Sequence, residues 1–219
     1  MEIRQVIPAL FAFRFEWPVP RLDPWKKDSA NWVPIDSQHR LQRVELGTGT
    51  AGNSLEVYLG WNAEGLGVRC LAGNLPDRPV SNPLQASSTD GLQIWIDTRN
   101  TQNIHRASRF CHHFCCLPTT TKGAQKGVVI QQPIARAKDE QALANPDEIP
   151  CRSRVDALGY DLEVWLPAGK LEGFDPIGSP RLSFYYRWIH HGIPDQFLTV
   201  GLEFPVDADP SLWQTIVLS

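Results

Sequence analysis

Six side chains that can ligate metals or act as nucleophiles fall within twelve residues of this 219-residue chain. They are His105, Cys111, His112, His113, Cys115 and Cys116. Imidazole nitrogens and thiolates bind zinc and other transition metals, and a Cys–His pair also supports thiol catalysis. The cluster has no C-x-x-C pair, and same-face neighbours on a strand lie about 6.5–7 Å apart. Two interpretations stay open: structural cysteines, or a metal- or thiol-dependent enzyme centred on His105, Cys111, His113 and Cys115.

Oxygen donors precede this cluster in the polar loop that follows Asp97. The side chains of Asp97, Asn100 and Asn103 offer the oxygen ligands that Ca²⁺ prefers. Together with His105 and His113 they form the predicted metal set, for a structural Ca²⁺ or, as the second choice, Zn²⁺. The alternative is a solvated loop that hydrogen-bonds to itself.

One pair of carboxylates has the spacing of a catalytic pair. A glycoside hydrolase needs two carboxyls about 5–10 Å apart, and Asp161 and Glu163 share one face of a predicted strand. Glu163 is also able to meet Asp97 across strands if they share a sheet. The chain has no nucleophile elbow, zinc-protease, P-loop or dinucleotide motif. A non-catalytic protein is therefore favoured.

Short alternating segments separated by turns predict the elements that position these residues. They run over 11–15, 55–61, 66–70, 92–96, 111–117, 128–137, 160–166, 182–189, 197–204 and 213–218. The pattern predicts an all-β fold, a two-layer antiparallel, jelly-roll-like sandwich with one short helix at most, over 138–147. Residues 1–219 are expected to form a single domain, on which the aromatic, proline-rich segment 1–40 packs as extended chain.

The same alternation predicts what the outer sheet faces present. If Leu92 and Leu162 face inward, Trp95 and Trp165 face outward, beside Gln93 and Glu163. Two further strands add to the same surface if they share the sheet, with Arg69, Tyr185 and Arg187. Aromatic rings beside planar polar groups can hold a sugar by stacking and hydrogen bonding. Alternatively, the N-terminal segment or a protein partner covers both tryptophans.

Four motifs in order resemble the family 9 carbohydrate-binding modules and their DOMON-like relatives. They are VYLGWNAEGLGVRC, DGLQIWIDTRN, GYDLEVWLPAGKL and LSFYYRWIHHG. The resemblance implies a β-sandwich, often with a structural calcium, and a sugar site of aromatic residues on strands and loops. It places Asp90 and Gln93 on the family's Asp and first Glu positions, and Glu163 on its second Glu. The chain departs from the pattern at His190 and His191, where acidic residues are preferred.

These observations predict a carbohydrate-binding domain without catalytic activity. Its predicted ligand residues are Asp90, Gln93, Trp95, Tyr185 and Arg187, together with Arg69, Glu163 and Trp165. The net charge of -3, from 21 basic and 24 acidic residues, argues against nucleic acid or an anionic membrane as partner. No segment approaches the roughly 18 apolar residues of a membrane span, and no signal peptide is visible. We expect a cytoplasmic protein, or an extracellular one if a longer chain has been trimmed; the oligomeric state is not specified.

Overall fold

The computed structural model describes residues 14–23, 35–42, 54–119, 127–139 and 141–219. Within those ranges the regular structure is almost entirely β-strand, with short 3-10 turns. The strands are β1 Glu16–Val19, β2 Ser54–Asn62, β3 Gly65–Gly73, β4 Gly91–Asp97, β5 Cys111–Leu117, β6 Val128–Gln132, β7 Cys151–Val155, β8 Tyr160–Pro167, β9 Arg181–Ile189, β10 Gln196–Phe197 and β11 Gln214–Leu218. The described residues contain no helix that is both long and apolar enough to cross a bilayer.

The strands form two sheets. The larger one has the order β1-β11-β9-β4-β5-β6, with β10 paired to β9, and the smaller one has the order β2-β3-β8-β7. Neighbouring strands run antiparallel except β1 and β11, which pair in parallel. The predicted all-β sandwich is confirmed, and groups of two or three consecutive strands alternate between its layers after β1.

The core lies between the two sheets and follows the alternation of the sequence. In β4 the side chains of Leu92, Ile94 and Ile96 share the inner face, because every second residue of a strand faces the same way. Each of them is at most 1% exposed. The inward residues of β8 are equally buried. A buried side-chain hydrogen bond joins the centres of the two layers: Trp188 Nε1 in β9 donates to the Tyr160 hydroxyl in β8 at 2.6 Å.

Several boundaries differ from those predicted, for local reasons. The strand expected over 128–137 ends at Gln132, because Pro133 has no N–H for the ladder. The segment expected over 197–204 pairs only at Gln196–Phe197 and then enters turns. The expected helix over 138–147 reduces to a 3-10 turn at Pro146–Glu148, which Asn145 caps.

The N-terminal segment packs on the sandwich where it is described. Strand β1 extends the larger sheet beside β11, while Leu22 and Ile35 pack against Tyr58 and Trp165 on the smaller one. Residues 1–13 and 24–34 lie outside the described residues. The assignment of 1–219 to one domain stays a prediction.

Candidate functional site

Seven of the eight predicted ligand residues divide over two separate outer faces. Gln93 and Trp95 in β4 lie opposite Arg187 and Tyr185 in β9, on the larger sheet. Arg69, Glu163 and Trp165 lie on β3 and β8 of the smaller sheet. Asp90 precedes β4 and contacts His191 instead. The single surface expected from the sequence is therefore two surfaces on opposite sides of the sandwich.

Neither predicted tryptophan platform is open. Trp95 is 1% exposed and Trp165 is 2% exposed, so neither ring offers a face for a sugar to stack on. Trp95 lies against the imidazole of His113, with ring centroids 4.2 Å apart and planes at 7°. Trp165 is covered by apolar side chains that include Leu22 and Ile35. Both tryptophans are covered, but within the described residues only Trp165 of the two lies against residues of the N-terminal segment.

A buried amide and imidazole lie on the outer face of the larger sheet. Gln93 Nε2 donates to the Ser87 carbonyl at 2.7 Å, which leaves Gln93 Oε1 as an acceptor 3.2 Å from His113 Nε2. His113 must therefore carry its proton on Nε2, and its Nδ1 is left as a hydrogen-bond acceptor. Burial, and secondarily Arg187, lowers the pKa of His113 to about 3. The ring stays neutral at neutral pH.

A partly exposed ion pair and a half-buried phenyl ring lie next to this buried pair. Arg187 Nε and Nη2 both donate to Asp195 Oδ2, at 2.7 and 2.6 Å, and the two side chains are 22% and 23% exposed. Phe197 is half-buried and pairs with Arg187 across the β10–β9 ladder, so it shares the same face. We call Gln93, His113, Arg187, Asp195 and Phe197 the outer-face site.

Sequence reasoning missed two of these five residues. Asp195 and Phe197 follow the turn after β9, and the predicted strand over 197–204 did not indicate that the chain folds back onto β9. A signal was available, because Gly192 and Pro194 break the chain directly before Asp195. His113 was predicted as a metal ligand, whereas here it contacts an amide.

The outer face of the smaller sheet carries an ion-paired cluster. Arg69 Nε and Nη2 donate to the two oxygens of Asp161 at 2.9 and 2.8 Å. Glu163 is buried, and its Oε2 has no hydrogen-bond partner among the described residues. Burial, and then the charge of Asp161, raises the pKa of Glu163. Asp97 lies on the other sheet, so the predicted meeting of Glu163 with Asp97 is wrong.

The predicted metal set does not converge. The Asp97 carboxylate accepts from the backbone N–H groups of Arg99 and Thr101 at 2.9 and 2.6 Å. Asn100 Oδ1 instead accepts from side-chain hydroxyls on β9 and β11. Asn103 is exposed, and His105 is exposed beside Asp209. Within the described ranges, no group of three His, Cys, Asp or Glu side chains close enough to share an ion includes Asp97, His105 or His113.

The cysteines do not support thiol catalysis. All five are free thiols, and burial raises the pKa of Cys111 and Cys115 to about 12. Only the thiolate is an effective nucleophile. Cys115 Sγ lies 3.6 Å from His113 Nε2, but an imidazole with so low a pKa is too weak a base to activate it. His105, the other predicted member of this centre, lies against Asp209 instead.

No family model matches the chain, and no curated protein matches it. Among solved structures, a family 9 carbohydrate-binding module from Caldicellulosiruptor kristjanssonii in complex with cellotriose matches with a TM-score of 0.63 at 13% identity, over 94% of each chain. A glucose complex of a module of this family from the same organism gives 0.59 at 14% identity, over 94% of this chain and 96% of that one. A candidate carbohydrate-binding protein from Bacteroides uniformis ATCC 8492 gives 0.59 at 10% identity, over 94% of this chain and 100% of that one. The chain therefore has the fold of the family 9 carbohydrate-binding modules, as its four motifs suggested.

Proposed function

We propose that this chain is a non-catalytic carbohydrate-binding domain, and that it holds a saccharide at the outer-face site. The observation that carries the proposal is the arrangement around Arg187. A buried neutral amide–imidazole pair, a partly exposed charged pair and a half-buried phenyl ring occupy one sheet face. Solved structures of this fold hold cellotriose and glucose, which supports a sugar as the ligand class.

The chemistry of the site suits hydroxyl groups. Both contacts from Arg187 reach one oxygen, Asp195 Oδ2, so Asp195 Oδ1 is free of them and can accept from a sugar hydroxyl. His113 Nδ1 is a second acceptor, and the guanidinium is a planar donor. Phe197 supplies an apolar surface for the C–H face of a sugar ring. The site therefore combines donors, acceptors and one aromatic contact within a small area.

Catalysis is not part of the proposal. Asp161 and Glu163 combine an Arg-paired carboxylate with a neighbour of raised pKa, the kind of pair that a hydrolase uses. However, Glu163 lies on the other outer face and is buried. The solved structures of this fold that hold cellotriose and glucose are carbohydrate-binding modules.

Two matched arginine variants test the proposal. Arg187 and Arg69 are each partly exposed and each paired with an aspartate, but on opposite faces. We expect the full chain to bind cellotriose or another member of a broad saccharide panel in calorimetric titrations. Arg187→Met should weaken that binding about 10- to 100-fold, because charged hydrogen bonds contribute about 1.5–3 kcal/mol each. Arg69→Met should leave it unchanged.

Two results would contradict the proposal. One is the absence of binding to the whole panel by protein whose circular dichroism shows it to be folded. The other is loss of binding in Arg69→Met with retention in Arg187→Met, which would move the site to the smaller sheet.

A further inference from the structure

Asp90, His190 and His191 form a cluster at one edge of the larger sheet, which we call the Asp–His–His cluster. Strands β4 and β9 are antiparallel neighbours with Gly91 opposite Ile189. The residue before β4 therefore meets the two residues after β9. One oxygen or nitrogen from each of the three side chains lies within 4.8 Å of the others.

Both ring nitrogens of His190 lie against backbone carbonyl oxygens. His190 Nδ1 lies 2.7 Å from the His191 carbonyl oxygen, and Nε2 lies 3.0 Å from the Asp77 carbonyl oxygen. A neutral imidazole has one N–H, so it can satisfy one of these two acceptors. The nitrogen at the other contact would direct its lone pair at a carbonyl oxygen, and a metal ion bound to that nitrogen would remove the repulsion. The ring is 1% exposed, and burial makes a nitrogen–oxygen contact without a shared hydrogen costly.

Asp90 adds the anionic donor that a metal ion needs. Its side chain is almost fully buried, Oδ1 accepts from the backbone N–H of His191 at 2.7 Å, and Oδ2 accepts from the backbone N–H of Val80 at 2.7 Å. His191 Nδ1 lies 2.6 Å from the same Oδ2. These backbone contacts orient the carboxylate as outer-shell hydrogen bonds orient ligands in metal sites.

We propose that the Asp–His–His cluster binds one divalent transition-metal ion of the Zn²⁺ type. Two imidazole nitrogens and one carboxylate oxygen suit Zn²⁺, Co²⁺ or Ni²⁺, whereas Ca²⁺ takes six to eight oxygens. The Asp77 carbonyl holds the ring nitrogen of His190 that does not face the ion. His191 is 45% exposed, which provides an entry path and leaves room for water as a further ligand. This site is independent of the proposed sugar site.

A titration of tag-free full chain, stripped with a chelator, tests the metal site. We expect calorimetry with ZnCl₂ to show one equivalent, and CoCl₂ to give the visible absorption of a nitrogen-ligated ion. His191→Gln should weaken Zn²⁺ binding at least about 100-fold, since even outer-shell partners contribute 10- to 100-fold to metal affinity. The matched control is His105→Gln, because His105 is also an exposed histidine 3.0 Å from an aspartate oxygen. It should leave binding unchanged.

The proposal fails if the wild-type chain takes up no stoichiometric Zn²⁺. It also fails if His191→Gln binds Zn²⁺ as tightly as the wild type. Asp90→Asn provides a second, nearly isosteric variant, and its folding can be checked by circular dichroism before the titration.

Discussion

Replacing Trp188 by alanine is expected to destabilise the fold by about 3–5 kcal/mol, the range for removing a large aromatic side chain from a packed core. Trp188 is completely buried and is one of the largest side chains between the sheets. It also supplies the hydrogen bond to the Tyr160 hydroxyl that links the two layers. Because Trp188 follows Arg187 in β9, its loss should loosen the strand that carries the outer-face site.

Urea unfolding at pH 7.5 measures this effect. Tyr160→Phe separates the hydrogen bond from the packing, because it leaves the buried Trp188 N–H without its acceptor at a cost of about 1–3 kcal/mol. Leu202→Ala is the control, since Leu202 is 50% exposed and should change stability by less than about 0.5 kcal/mol. A Trp188→Ala protein as stable as the control would show that the layers are not held together as described.

The stability of the protein is expected to fall steeply between pH 7.5 and pH 5. Burial is the main cause that lowers the pKa of His112 to about 4 and that of His113 to about 3, from an ordinary value of 6.5. In that range the unfolded chain binds protons that the folded chain does not, so protonation favours unfolding. Each histidine should cost about 2 kcal/mol by pH 5, at about 1.36 kcal/mol per pH unit below 6.5. Above pH 6.5 the contribution of the two histidines to the free energy of unfolding is constant.

Urea unfolding at a series of pH values gives the slope directly. Glu163 acts in the opposite direction, because its raised pKa lets the folded state hold a proton more readily than the unfolded state. The double variant His112→Gln, His113→Gln should lose most of the slope, whatever its stability at pH 7.5. A wild-type profile that is flat from pH 7.5 to pH 5 would mean that these two rings are not buried in the neutral form.

Alternation in the sequence predicted the sandwich because the period of two is a direct consequence of strand geometry. Leu92 and Leu162 face the core as expected. The four motifs that resemble the family 9 carbohydrate-binding modules lie on strands of both sheets. Alternation does not reveal which strands share a sheet. Trp95 and Trp165 were therefore placed on one surface, although their strands belong to different layers.

The candidate site depended on contacts that no local pattern contains. Arg187 and Gln93 were predicted from their strand faces, but Asp195 and Phe197 reach the site through a turn whose path is set by tertiary packing. The predicted metal ligands likewise have partners that only the fold supplies. The oxygens of Asp97 and Asn100 accept from backbone and hydroxyl donors that no local pattern indicates. The histidines at positions 190 and 191 were noted as departures from the family pattern, and only the fold brings Asp90 to them.

The most direct test of the central claim is the ¹H–¹⁵N indole spectrum of the full chain, recorded with and without a saturating amount of the saccharide that binds in the calorimetric titrations. Trp95 lies under His113 on the outer face of the larger sheet, and its Nε1 has no hydrogen-bond partner among the described residues. Its N–H resonance should therefore report a ligand at His113. Trp165 marks the other outer face. We expect the Trp95 resonance, assigned with Trp95→Phe, to shift while that of Trp165 stays in place. A shift of Trp165 without Trp95, or no shift of either, would contradict a sugar site on the larger sheet.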